Sequence, residues 1–130
     1  MRALTLDVAK IQPIVITRRM KDEAENNAGQ QQRDRIPVLL LHGRTWSSLP
    51  VYHLTKCESN NRSLIQALYD NNNIQPYACD FRGFGGTPKD ASGFVEPLKC
   101  VSDAVSVLNW IHDNHSNKPA LLGWSHGALI

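Results

Sequence analysis

Three short apolar runs, separated by segments with helical periodicity, limit most strongly what this chain can fold into. The runs cover residues 37–41, 74–80 and 120–123, with the sequences PVLLL, IQPYACD and ALLG. Continuous apolar runs of about four to eight residues are typical of strands that are buried on both faces. Pro76 weakens the second prediction, because proline has no amide N–H for a sheet. A β-branched run at 13–18 (PIVITR) predicts an earlier strand.

The segments between the runs have the periodicity of amphipathic helices. Residues 63–69 (SLIQALY) predict one helix, with Asn60 or Asn61 as its N-cap. A longer helix is predicted to begin at Pro97 and to end within 114–117. Its predicted core face consists of Leu98, Val101, Val105, Leu108 and Ile111. Residues 44–61 are predicted to form a loop.

The order strand, helix, strand, helix, strand predicts an α/β fold, with a mostly parallel sheet and flanking helices. Reactive groups in such sheets lie just past the carboxyl ends of the strands. Here the three strands are followed by His42-Gly43, by Asp80 with Arg82, and by Ser125. We therefore expect these residues to share one edge of the sheet.

The sequence Gly123-Trp124-Ser125-His126-Gly127 follows the third strand and precedes a possible helix start at 128–130. Strand, tight turn and helix form the setting of a nucleophile elbow, in which glycines leave room for the turn. Ser125 is therefore the candidate nucleophile. The backbone N–H groups of His126 and of Arg44, which follows Gly43 in an earlier loop, are candidate oxyanion donors. The side chain of Arg44 either pairs with an anionic substrate group or is simply solvated.

At these positions the chain resembles the α/β-hydrolase superfamily, in its serine-nucleophile branch. The matching motifs are LLLHGRTWSS at 39–48, CDFRGFGGTP at 79–88 and GWSHG at 123–127. The resemblance implies Ser125 as nucleophile, an oxyanion hole at Arg44 and His126, and a structural turn at 80–85. A serine at the elbow argues against the haloalkane dehalogenase and epoxide hydrolase branches, which use aspartate there.

The resemblance also implies the order serine, acid, histidine along the chain, which puts the last two groups beyond Ile130. Residues 1–130 are therefore expected to be the N-terminal portion of one hydrolase domain, truncated after the elbow. The strand at 120–123 is then expected to form an open sheet edge. The polar segment 21–35 is expected to be an exposed hairpin or connector.

Other residues near the strand ends have supporting roles in this prediction. His42 is expected to pack or hydrogen-bond beneath the oxyanion loop, and Asp80 to form a salt bridge with Arg82. Gly43, Gly123 and Gly127 are expected to support the site by allowing close backbone approach. Trp46 and Trp124 are possible walls of a substrate pocket. The remaining imidazoles are less informative: His53 is a possible pocket residue, whereas His112 and His115 are expected to be solvated.

Composition excludes several classes of partner. A net charge of +2 with 20% charged residues proposes neither a nucleic-acid nor a membrane partner. No apolar stretch predicts a signal peptide or a membrane helix. Three widely spaced cysteines (Cys57, Cys79 and Cys100) are typical of free thiols in a cytoplasmic protein. No metal site or cofactor is predicted, and the oligomeric state stays open.

We therefore predict a carboxylesterase-like hydrolase that acts on an ester, thioester, lactone or amide through an acyl-enzyme at Ser125, with a small-molecule acyl substrate. The alternative is a non-catalytic hydrolase-like module that binds a small molecule or a partner. A cooperative melt of residues 1–130 alone would favour that alternative. An unrelated flavodoxin-like or nucleotide-binding α/β domain is a third possibility, which nucleotide binding would support.

Overall fold

A computed structural model describes residues 2–9, 12–18, 33–55, 61–71 and 73–130 of the chain. Most of the predicted connector at 21–35 lies outside these residues. The strands are β1 (Arg2–Ala9), β2 (Gln12–Arg18), β3 (Ile36–Leu41), β4 (His53–Thr55), β5 (Asn61–Ser63), β6 (Ile74–Cys79) and β7 (Ala120–Gly123). The helices are α1 (Ser48–Tyr52), α2 (Leu64–Asp70) and α3 (Pro97–Asn114), and a single 3-10 turn covers Ser125–Ala128.

Five strands form the main sheet, in the order β1-β2-β6-β3-β7. The β3 strand pairs in parallel with β6 on one side and with β7 on the other. The hairpin of β1 and β2 joins antiparallel to β6. The predicted α/β architecture with a mostly parallel sheet is confirmed. The strand β1 was not predicted, although Leu4, Leu6 and Val8 alternate with polar residues as a strand requires.

The three layers follow from the alternation of side chains along the central strands. Leu39 and Leu41 of β3 join a core cluster with α3, on one face of the sheet. Leu40 joins a second cluster with Tyr52 and Ile65, from α1 and α2, on the other face. All four residues of β7 are exposed, and β7 is an outer strand of the main sheet as expected.

The face of α3 that packs on the sheet differs from the predicted one. Leu98 is 82% exposed and Val105 is 48% exposed, whereas Leu108 packs against the core and Ile111 is fully buried, so only part of the predicted stripe faces the sheet. The buried residues are Cys100, Asp103, Ala104, Val107 and Ile111. The prediction was wrong in part because a charged residue, Asp103, belongs to the core-facing row, where Arg82 neutralises it. A prediction from hydrophobic periodicity places an aspartate on the solvent side of a helix, so it assigned the core face to a row of residues beside the observed one.

Two local predictions were also wrong. The hydroxyl of Ser63, not the side chain of Asn60 or Asn61, caps α2 by accepting a 3.0 Å hydrogen bond from the Gln66 N–H. The predicted loop at 44–61 contains α1 and β4 and ends at the first residue of β5. Within the described residues, no helix is long and apolar enough to cross a membrane.

Candidate active site

Ser125 lies at the carboxyl end of β7, at the first residue of the 3-10 turn. Its side chain is exposed, and its φ of 55° is in the left-handed region. A non-glycine residue in this region costs roughly 1–2 kcal/mol, so the surrounding structure must enforce the turn. The predicted strand and tight turn are present. Ala128, the first residue of the possible helix start at 128–130, is the last residue of the 3-10 turn.

Two glycines allow this turn to pack against the end of β3. A Cβ atom on Gly127 would overlap the carbonyl groups of Leu41 and His42, and one on Gly123 would overlap the carbonyl of Gly127. The Leu41 carbonyl oxygen also accepts hydrogen bonds from the Trp124 N–H, at 3.0 Å, and from the Tyr52 hydroxyl, at 2.6 Å. The turn is therefore fixed to the end of β3 through the Leu41 carbonyl group.

Tyr52 was not predicted to take part in the site. It is 3% exposed, and burial raises the pKa of its hydroxyl to about 12. The hydroxyl therefore stays protonated and remains a donor to Leu41. Eleven residues separate these two partners in the chain, and no sequence motif connects them.

Gly43 brings the loop after β3 against the Ser125 turn. A Cβ atom on Gly43 would lie 2.6 Å from the Trp124 ring and 3.2 Å from the Cβ atom of Ser125. Arg44 follows Gly43 and His126 follows Ser125, so the two candidate oxyanion donors belong to the residues next to this contact.

His42 lies beneath this loop and is fully buried. Its Nε2 atom accepts a 3.1 Å hydrogen bond from the Phe81 N–H, so the proton of the neutral ring must be on Nδ1. Nδ1 lies 2.7 Å from the Gly43 carbonyl oxygen and donates to it. Burial lowers the pKa of His42, against smaller opposing effects of the Gly43 carbonyl and Asp80. The ring is therefore neutral and fixed in one tautomer.

This hydrogen bond also orients the candidate oxyanion donor. The Gly43 C=O and the Arg44 N–H belong to one peptide unit, and none of the described peptide bonds is cis. In a trans peptide the C=O and N–H point in opposite directions. Since His42 holds the carbonyl toward itself, the Arg44 N–H points away from His42. The expected supporting position of His42 beneath the loop is thus present.

Asp80 connects the start of α1 with the loop that follows β6, in an arrangement that differs from the predicted one. Its carboxylate accepts hydrogen bonds from the Ser48 N–H, at 2.7 Å, and from the Gly86 N–H, at 2.9 Å. Its backbone carbonyl accepts from the Thr87 hydroxyl at 2.7 Å. The predicted salt bridge between Asp80 and Arg82 was wrong, because these backbone donors occupy the carboxylate.

Arg82 pairs instead with Asp103 of α3 and with Asp90 of the preceding loop. Hydrogen bonds to Asp103 contribute most to raising the pKa of Arg82. Lys99 also reaches Asp90, at 3.2 Å. The pKa of Asp90 is lowered, mainly by its hydrogen bond with Ser92 and further by Lys99 and Arg82. These ion pairs connect the loop at 80–96, which holds Arg82 and Asp90, to Lys99 and Asp103 of α3.

Trp46 and Trp124 form two walls of one cavity, as the pocket prediction requires. Their rings meet edge to face with centroids 6.5 Å apart. The cavity has a volume of about 630 Å³. It is lined by Trp46, Pro50, Val51, Tyr52, Leu54, Leu64, Leu122, Gly123 and Trp124.

The imidazoles other than His42 do not form a dyad with Ser125. His53 pairs with Ser63 at 2.5 Å, and His126 packs edge to face on Phe81. His115 was predicted to be solvated but is half-buried, with Nε2 2.7 Å from the Tyr77 hydroxyl. His112 is exposed, as expected. Within residues 33–55, 61–71 and 73–130, no cluster of His, Cys, Asp and Glu has the arrangement of a metal site.

Comparisons with known proteins agree with this fold. Residues 38–130 match the model of the alpha/beta hydrolase family. An epoxide hydrolase from Vigna radiata is similar at 18% identity and a TM-score of 0.68, over 98% of this chain and 33% of that one. An esterase from Pyrococcus furiosus is similar at 20% identity and a TM-score of 0.66, over 98% and 41% of the two chains.

The mouse alpha/beta hydrolase domain-containing protein 10 is also similar, at 12% identity and a TM-score of 0.62, over 98% and 41% of the two chains. At such identities the likeness shows the fold alone. The chain spans about a third to two fifths of the length of these three structures. No curated protein matches it.

Proposed function

Because this chain belongs to the alpha/beta hydrolase family, we propose that it carries the nucleophile and the oxyanion hole of a serine hydrolase. The observation that carries this proposal is the position of Ser125: an exposed hydroxyl, on a left-handed turn, at the carboxyl end of a parallel strand. A serine held in this way presents its hydroxyl to a bound carbonyl group. The substrate classes are esters, thioesters, lactones and amides.

In the proposed reaction, the Ser125 Oγ atom attacks the substrate carbonyl carbon and gives up its proton to a base. The carbonyl π electrons move to oxygen, and the N–H groups of Arg44 and His126 donate hydrogen bonds to that oxyanion. The C–O, C–S or C–N bond of the leaving group then breaks, and the leaving group takes up a proton. Water attacks the resulting acyl-enzyme and regenerates the Ser125 hydroxyl.

The base and its acidic partner are proposed to lie C-terminal to residue 130. The family order of serine, acid and histidine places them there. Two imidazoles have other partners: His53 pairs with Ser63, and His115 pairs with Tyr77. His42 is occupied on both ring nitrogens, so it cannot accept the serine proton without losing a buried hydrogen bond.

The test is covalent labelling of the protein, purified from its source at its natural length, with a fluorophosphonate probe. We expect one adduct, located at Ser125 by peptide mass spectrometry. Ser125→Ala should abolish the adduct, whereas Ser116→Ala, at an exposed serine outside the site, should not. An adduct that persists in Ser125→Ala would reject the assignment. A wild-type protein that folds but never reacts would favour the non-catalytic binding module.

A further inference from the structure

The carbonyl group of Leu41 is the point at which the Ser125 turn meets the oxyanion loop, residues 42–47. Its oxygen accepts hydrogen bonds from the Trp124 N–H, at 3.0 Å, and from the Tyr52 hydroxyl, at 2.6 Å. A carbonyl oxygen has two lone pairs, so these two donors satisfy it. Trp124 directly precedes Ser125, and Leu41 directly precedes the oxyanion loop. The direction of this one carbonyl group therefore affects both the turn and the loop.

The packing around the Leu41 carbonyl leaves little room for it to rotate. A Cβ atom on Gly127 would lie only 2.3 Å from its oxygen, so the far end of the turn packs directly on the same group. Ser125 has a φ of 55°, which a serine adopts only when neighbouring contacts enforce it. The Leu41 carbonyl makes such contacts on both sides of Ser125, with Trp124 before it and with Gly127 after it.

The Tyr52 side chain is itself held firmly. It is the last residue of α1, and the N–H group of the first residue, Ser48, donates a 2.7 Å hydrogen bond to Asp80. Since α1 directly follows the oxyanion loop, that loop is anchored at both of its ends. Tyr52 is 3% exposed, and burial raises the pKa of its hydroxyl to about 12. The hydroxyl therefore donates to Leu41 over the whole neutral pH range, with little competition from water.

We infer that Tyr52 is a positioning residue for the proposed reaction. Its hydroxyl fixes the Leu41 carbonyl, and that carbonyl sets the place of the Ser125 oxygen relative to the oxyanion donor of Arg44. This inference rests on the proposed function of Ser125 as the nucleophile. Tyr52 acts through Leu41 and the Trp124 N–H, not by proton transfer. A small misplacement of the reacting groups lowers the rate of the chemical step strongly and leaves substrate binding almost unchanged.

The test compares Tyr52→Phe with wild type, both at the natural length of the protein, in the hydrolysis of para-nitrophenyl acetate. The substitution keeps the ring and removes only the hydroxyl. We expect kcat to fall by at least about tenfold and KM to stay within about twofold. The rate at which a fluorophosphonate probe labels Ser125 should fall by a similar factor. Tyr69→Phe is the matched control, because it removes a hydroxyl from a half-buried tyrosine of α2, and it should match wild type.

The ratio of the wild-type kcat to that of Tyr52→Phe should stay constant between about pH 6 and 9, since the phenol does not titrate there. A ratio that changes with pH would give Tyr52 a role in proton transfer and would overturn the inference. Urea unfolding shows whether each variant is folded under the assay conditions. A folded Tyr52→Phe variant that is less stable than wild type but keeps its kcat and labelling rate would show that the hydroxyl only supports the fold.

These outcomes are distinct from a failure of the proposed function. In both of the contradicting results above, Ser125 still reacts, so only the role of Tyr52 is rejected. A folded wild-type protein that is never labelled at Ser125 would reject the proposed nucleophile, and the positioning role of Tyr52 with it.

Discussion

Two regions beside the Ser125 turn differ in the kind of side chain that they shield from water. Beneath the neighbouring loops, polar side chains are enclosed: His42 is fully buried and Asp80 is 5% exposed. In the adjacent cavity, Trp46 and Trp124 are left half exposed. Both arrangements reverse the usual distribution of polar and apolar groups. Enclosed polar groups with fixed partners hold a backbone geometry, whereas exposed apolar groups are suited to receive a ligand.

The largest effect is expected from adding a methyl group to the turn itself. In Gly127→Ala the new Cβ atom would overlap the carbonyls of Leu41 and His42. We expect the free energy of unfolding to fall by at least about 3 kcal/mol, since neither backbone carbonyl can move aside.

Gly93→Ala is the matched control, because Gly93 has a φ of +70° but no atom within 4 Å of an added Cβ. It should cost only about 1 kcal/mol, from the left-handed backbone. Urea unfolding of the two variants measures the difference. Similar losses in both would show that the turn is not held by close packing.

The second largest loss of stability is expected when the buried carboxylate of Asp80 is removed. Asp80→Ala leaves the N–H groups of Ser48 and Gly86 without their acceptor, and we expect a loss of about 2–3 kcal/mol in the free energy of unfolding. Asp80→Asn keeps one acceptor oxygen and should lose less. Equal stability of the alanine variant and wild type would contradict the view that enclosed polar groups hold this region together.

A smaller effect is expected from pH. The folded-state pKa of His42 is below its usual value of 6.5, because burial disfavours the imidazolium. The unfolded chain therefore binds more protons as pH falls below about 6.5, and stability decreases toward the lower folded-state pKa. His115, whose pKa is lowered mainly by burial, contributes in the same direction.

We expect His42→Gln to reduce the slope of unfolding free energy against pH between about pH 5 and 7. Asn109→Gln, a substitution without a titrating group at an exposed site on α3, should leave the slope unchanged. Chemical unfolding at several pH values measures both slopes. An unchanged slope in His42→Gln would mean that His42 does not titrate as a buried group.

The smallest effect on stability is expected in the cavity. Trp46→Ala removes a half-exposed ring and should change the free energy of unfolding by less than about 1 kcal/mol. A loss of stability as large as that of Asp80→Ala would show that Trp46 belongs to the folded core rather than to a ligand site.

The sequence predicted those parts of the fold that depend on local pattern. The strands β3, β6 and β7, the limits of α3 and the glycine turn at Ser125 all follow from runs and motifs within a few residues of each other. The positions of Gly43 and His42 beside the turn also followed, because parallel strands bring their carboxyl ends to one edge.

The failures concern side chains whose partners are distant in the chain. Asp103 is buried because Arg82 pairs with it, and the two residues are 21 positions apart. Asp80 binds the Ser48 N–H across 32 positions. Neither pairing forms a sequence motif. The charge of Asp103 therefore excluded it from the predicted core face, and the charge of Asp80 predicted a salt bridge with the nearby Arg82. The antiparallel strand β1 differs from these cases, because its pattern of alternating apolar and polar residues is local and could have predicted it.

Rapid-quench mass spectrometry of the protein, at its natural length, during the hydrolysis of para-nitrophenyl octanoate tests most directly whether Ser125 is the nucleophile. We expect a burst of nitrophenol and a transient octanoyl group on the peptide that contains Ser125. Both should disappear in Ser125→Ala. Steady hydrolysis without any acyl group on that peptide, or with the group on another residue, would contradict the account.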